Sequence, residues 1–138
     1  RPYKPDRAVV RSIPADLAKA ELTGILARAQ PGLSNHHPTL ASHKLQRIEV
    51  TDERMSFDSK TSAHSEPKRF SYLYAELEPA AYAATGETDV IVRLVGEEVG
   101  ATTPLTAENA IVVVPGAADA EKLIDAIESL KANAVSRR

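Results

Sequence analysis

Cysteine and tryptophan are both missing from this 138-residue chain, and Phe and Tyr together supply only 4% of it. Without cysteine there are no disulfides, no thiol nucleophile and no thiolate zinc site, and the redox compartment stays open. So few rings leave little for bases to stack on, which argues against recognition of single-stranded nucleic acid. The core must therefore be built mainly from Val, Ile, Leu and Ala. No apolar run approaches the roughly 18 residues a membrane span needs. A net charge of −2 gives no overall footprint for polyanions. There is no internal repeat and no low-complexity tract.

What remains is ordinary globular composition, 43% apolar and 26% charged, in a length that suits one domain with a self-sufficient core. The charge is uneven. Residues 1–48 carry eight Lys or Arg against three acids, and residues 49–138 carry nine against sixteen. A basic leader of this kind is expected either to touch an anionic surface or to dock on its own acidic body. The chain begins at Arg1 instead of methionine, so loss of an upstream segment is expected. A removed export signal or lipid anchor would place the protein at a bacterial envelope, and a trimmed cytoplasmic protein is the alternative.

Hydrophobic periodicity divides the chain at about residue 43. Residues 1–12, punctuated by Pro2 and Pro5, read as an extended basic arm. From Pro14, the apolar positions Ala18, Leu22, Ile25, Leu26 and Ala29 form one helical stripe, which Pro31-Gly32 stops. Residues 31–43 read as a linker. The alternation of Gln46, Ile48 and Val50, then Met55 and Phe57, around Thr51-Asp52-Glu53-Arg54 predicts a hairpin. Residues 59–68 are polar and read as a surface loop.

The next strand sets Phe70, Tyr72 and Tyr74 on one face and Leu73, Ala75 and Leu77 on the other, and Glu78-Pro79 is expected to break it. Ala80 to Thr85 would be a short neighbouring strand. Thr85-Gly86-Glu87-Thr88 is a turn before a strand at Asp89 to Val95, and residues 96–107 read as loop, with a short edge strand around Val99. Ile111 to Val114 is a last strand. Ala120, Leu123, Ile124, Ile127, Leu130 and Ala134 form the stripe of a C-terminal amphipathic helix. The expected class is thus α+β. Residues 1–43 form a basic arm, helix and linker, and residues 44–136 form an antiparallel β domain of five to seven strands, an open sheet or partly closed barrel capped by the C-terminal helix.

That order of elements over residues 43–134 resembles the pleckstrin-homology-like barrel, whose C-terminal helix plugs one open end, as in small bacterial envelope proteins and lipoproteins of unassigned function. The resemblance implies a binding scaffold. In family members that bind phosphoinositides the first hairpin loop is basic, whereas Asp52-Glu53-Arg54 stands there in this chain, so lipid-headgroup reading is not carried over. An open antiparallel sheet with both helices on one face is the rival architecture.

Candidate sites are sparse. His36, His37 and His43 lie close in sequence, but His36-His37-Pro38 is not a helical i,i+4 pair. A metal or hydrolytic site would need these histidines or His64 to converge with Asp58 or Glu49. Ser59, Ser62 and Ser65 sit with His64 in the polar loop, outside any nucleophile elbow. The acidic pairs Glu97-Glu98 and Glu76 with Glu78 read as solvated. Pro115-Gly116 before Asp119 and Glu121 would repel a phosphate. What is left is a surface for a partner: Lys60, His64, Lys68 and Arg69, with Tyr72 and Tyr74 as amphipathic contact area. The function expected is non-enzymatic binding of a protein partner, without cofactor or metal. A small hydrophobic ligand in the barrel mouth, between the strands at 70–77 and 89–95, and a small His-dependent metalloenzyme are the alternatives.

Overall fold

The computed structural model describes residues 3–31, 44–60, 66–83, 90–98 and 110–136, with the backbone alone at 78–83, 90, 91, 93–98, 110, 111, 113 and 136. Helices α1 (Arg7–Ser12) and α2 (Ala15–Arg28) come first. Strands β1 (Gln30–Pro31), β2 (Gln46–Val50), β3 (Arg54–Ser59), β4 (Lys68–Ala83), β5 (Val90–Glu98) and β6 (Ala110–Val114) follow, and helix α3 (Ala117–Ser136) ends the chain. The strands form one antiparallel sheet in the order β1-β6-β5-β4-β3-β2, so β2 to β6 are a meander and β1 and β2 are its two edges. The sheet is not closed.

Helix α2 realises the stripe read from the sequence: Ala18, Leu22, Ile25, Leu26 and Ala29 are all at most 1% exposed. It packs on α3, β2 and β6. Arg28 pairs with Asp119 near one end of the α2–α3 contact, and Ser129 donates to the Ile13 carbonyl at the other, so the two helices run antiparallel on the same face of the sheet. Burying Leu22, Ile25 and Leu26 is worth roughly 1.5–3 kcal/mol each. Their sum, about 5–9 kcal/mol, is of the order of a small domain's net stability. Helix α2 is therefore part of the core and not an appendage to it.

Several expectations are corrected. Residues 7–12 are helical, not extended: the Asp6 carboxylate caps α1 by accepting from the Ala8 amide at 2.9 Å, and Val10 turns inward. Beyond α2, Gln30 and Pro31 pair with Val113 and Val112 of β6, so the expected linker opens as a strand; its residues 32–43 lie outside the described part.

The third correction concerns β4, which does not break at Pro79. Its ladder with β5 runs on from Leu77↔Gly96 through Pro79↔Leu94 to Ala83↔Val90, while its ladder with β3 ends at Leu73. The Leu77 carbonyl accepts from Lys131 Nζ of α3 at 3.1 Å. Proline is tolerated in a strand where its nitrogen faces away from the ladder, and past Leu73 one side of β4 has no ladder among the described residues, so the missing N–H of Pro79 on that side costs no ladder bond. Likewise β5 continues through Gly96 to Glu98, where loop was expected. Val99 and the turn at 85–88 lie outside the described residues.

The same stretch of β4 re-phases its faces. Tyr72 aligns with Glu98 and Leu77 with Gly96, so five steps along β4 match two along β5. Three extra residues, an odd number, turn the strand over. Phe70, Tyr72, Tyr74 and also Leu77 consequently face one core with Met55, Phe57, Val92, Val112 and Val114, under the stripe of α3. Glycine at 96, directly opposite Leu77, suits a backbone bent in this way.

Candidate functional site

The outer face of β2, β3 and β4 carries the charged residues that the sequence singled out, and Arg69 is their hub. Register places Arg69 opposite Asp58. Its guanidinium reaches Asp58 Oδ1 at 3.2 Å and Glu49 at 3.3 Å, and donates to the Arg47 carbonyl at 2.5 Å. Arg47 closes the network through its Nε, 3.5 Å from Asp58 Oδ2. The backbone of Arg47 is left-handed, φ 50°, at an irregularity of the β2–β3 ladder between Gln46 and Glu49. A bulge in an edge strand, with its carbonyl turned to Arg69, is poorly suited to pairing with another chain.

This geometry fixes what Arg69 can do. Two carboxylates and a carbonyl already engage both terminal nitrogens of Arg69, so an incoming anionic group would compete with them. The network works as a clamp on the hairpin, worth up to about 1 kcal/mol for partly exposed pairs. Beneath it, the Ser56 and Ser71 hydroxyls bond at 2.8 Å across β3 and β4. Lys68 places its ammonium 5.0 Å from the centroid of the Phe70 ring, a cation–π contact. Lys60 is half-buried at the end of β3, its carbonyl accepting from Ser59.

Tyr72 and Tyr74 do not belong to this surface. Both are completely buried, and the Tyr74 hydroxyl donates to the Arg54 carbonyl at 2.9 Å. Burial, with Asp52 nearby, pushes the Tyr74 phenol well above its ordinary range, so it stays neutral. Their alternation with Phe70 is that of a core strand; amphipathic contact area was the wrong reading because the helices cover this face. Of the six residues proposed for partner contact, Lys60, Lys68 and Arg69 lie near the β3–β4 connection, and His64 falls outside the described residues.

So do His36, His37 and His43. The acids that a histidine site would recruit, Asp58 and Glu49, are held by Arg69. Among the described residues no three His, Asp or Glu side chains are grouped to hold a metal ion, and no helix is long and apolar enough to cross a membrane. Nothing in the alternation of residues 46–50 announces the bulge at Arg47, and the Lys131–Leu77 contact was missed because its partners stand 54 residues apart. Comparison with protein-family models, with curated proteins and with solved structures finds no match.

Proposed function

We propose that the chain is a non-enzymatic interaction domain that takes an extended segment of a protein partner along the open side of β4. The observation that carries this reading is the one-sided ladder of β4: from Leu77 to Ala83 it pairs with β5, while among the described residues no strand pairs with its other side. At the near end of that side a carbonyl is met by a lysine side chain instead of a strand. Main-chain groups left in this state are what strand addition uses. The two outer edges are less suited, β2 because of its bulge and β1 because it has two residues.

The pleckstrin-homology-like reading is part of the same proposal. It is supported by a five-strand meander followed by a helix packed on β4, β5 and β6, with a long β4 shared between two halves of the sheet. An envelope location is likewise proposed. A hydrophobic ligand held between β4 and β5 is the weaker alternative, since Tyr72, Tyr74, Leu77 and Val92 already pack into the core cluster with the helices.

The test exploits backbone parity. Ala81 has the parity of Leu77 and Pro79, so Ala81→Pro removes an N–H from the open side and spares the ladder to β5. With the full chain as bait in crosslinked source cells, the wild type should enrich one partner, and Ala81→Pro should lose it with an unchanged circular dichroism spectrum. No enrichment by the wild type, or equal capture by a folded Ala81→Pro, overturns the reading.

A further inference from the structure

The open side of β4 is partly closed by the chain itself. Antiparallel pairs alternate between those that exchange two backbone hydrogen bonds and those that exchange none. Pro79 stands opposite Leu94 with no N–H to give, so this pair is of the second kind and Pro79 turns its backbone groups away from β5. The register is continuous from Leu77↔Gly96 to Ala83↔Val90, so Leu77, Ala81 and Ala83 share that phase and turn theirs to the open side too. Strand β3 covers this side only as far as Leu73, with one further bond from the Tyr74 amide to the Glu53 carbonyl at 3.1 Å. At Leu77 the acceptor is already taken, because Lys131 Nζ of α3 donates to it at 3.1 Å. At Pro79 the donor is missing. Only Ala81 and Ala83 keep both groups. Lysine and proline are the residues by which proteins commonly keep an edge from pairing with another chain, and here the two act on neighbouring positions of one edge.

We infer that Lys131 is an autoinhibitory gate on β4. While its ammonium holds the Leu77 carbonyl, the edge is closed to strand addition from Leu77 through Pro79, and a segment that begins at Ala83 and Ala81 completes its ladder only by displacing it. The inference rests on the reading of β4 as a strand-accepting edge. The contact is suited to opening: Lys131 is half-buried on a flexible stem, so its ammonium can swing into water while α3 stays in place. An entering N–H exchanges a charge-assisted bond for a neutral one of roughly half the strength, which is the penalty the gate imposes. Removing the ammonium lifts that penalty and leaves the Leu77 carbonyl wanting a donor, so strand addition should strengthen by about tenfold, equivalent to about 1.4 kcal/mol.

The probe that needs no identified partner is a second copy of the chain, followed by sedimentation velocity over a concentration series. Lys131→Met should self-associate at least about tenfold more strongly than the wild type, Lys131→Arg, which keeps a charged donor, should behave as the wild type, and Lys131→Met/Ala81→Pro should return to it. Should Lys131→Met fail to fold, Lys131→Gln, whose amide stops one bond short of the ammonium position, replaces it. A folded Lys131→Met that associates no more than the wild type, or whose association survives Ala81→Pro, overturns the gate. The two readings fail separately. A partner captured by the wild type and lost by Ala81→Pro, with Lys131→Met unchanged in both capture and self-association, removes the gate alone; association released by Lys131→Met and reversed by Ala81→Pro, with no partner enriched from cells, supports the gate and removes the partner.

Discussion

Truncating Leu22 to alanine tests whether α2 is structural. Leu22 is completely buried in a cluster that also holds residues of β3, β4 and α3. Leu→Ala at such a site costs about 3 kcal/mol, within a usual range of roughly 2–5. Unfolding entropy near 2.1 cal/mol/K per residue, taken over 138 residues, gives about 0.3 kcal/mol/K, so Tm should fall by about 10 °C. Leu17→Ala is the control, because Leu17 lies on the same helix but is 49% exposed. It should shift Tm by less than about 2 °C, corresponding to a surface change within about 0.5 kcal/mol. The melt is followed by far-ultraviolet circular dichroism for the helices and by near-ultraviolet tyrosine signals, to which the buried Tyr72 and Tyr74 of the sheet contribute. Both probes should move together in Leu22→Ala. A helix signal that melts early while the tyrosine signal keeps its wild-type transition would refute the argument, since it would make α2 a separable appendage.

Two further substitutions probe local features. Partial burial, the bond to Asp125 and the nearby Glu121 push the Tyr3 phenol up to about 12. A pKa raised in the folded state means that the neutral phenol stabilises docking below pH about 10, its unfolded value, and that this contribution fades as pH rises towards 12. The thermal midpoint of the wild type should fall over that window by more than that of Tyr3→Phe, whose midpoint lacks this contribution at every pH; an identical alkaline profile of midpoints in both proteins would exclude Tyr3 as the latch. At the edge bulge, Arg47→Gly relieves a left-handed residue, φ 50°, and loses only an exposed ion pair, so denaturant midpoints should be unchanged or slightly higher. Arg47→Val should cost about 1–2 kcal/mol, because a β-branched residue resists that conformation; equal midpoints for the two would show that the bulge relaxes freely.

Much of the fold was legible from residue order. The stripe of α2, the hairpin at 46–59, the strands around 70, 90 and 111, and the stripe of α3 all express a period of 3.6 or 2 within a window shorter than the element itself. Such periods are set by backbone geometry, so a local sequence carries them in full. That α2 stops before Pro31, at Arg28, and that the chain turns after Val50 were legible for the same reason: proline and Thr51 act on their immediate neighbours. Even the charge contrast between the chain's two parts could be read directly, although not what either part faces.

Tertiary structure decided the facing and the partners. Alternation alone puts Leu77 opposite Tyr74, and only the ladder to β5, with its three extra residues, turns Leu77 into the same core. Pro79 reads as a breaker until β3 is seen to stop pairing at Leu73 and free that side of β4. Tyr72 and Tyr74 read as contact area until they are buried in the core under the helical layer, and Arg69 reads as a free cation until Asp58, Glu49 and the Arg47 carbonyl surround it. Each of these outcomes depends on residues far away in the chain. Local sequence determined where the backbone turns helical or extended; which face is covered, and which charge is satisfied, followed from pairings across the sheet and between the helices that no short window contains.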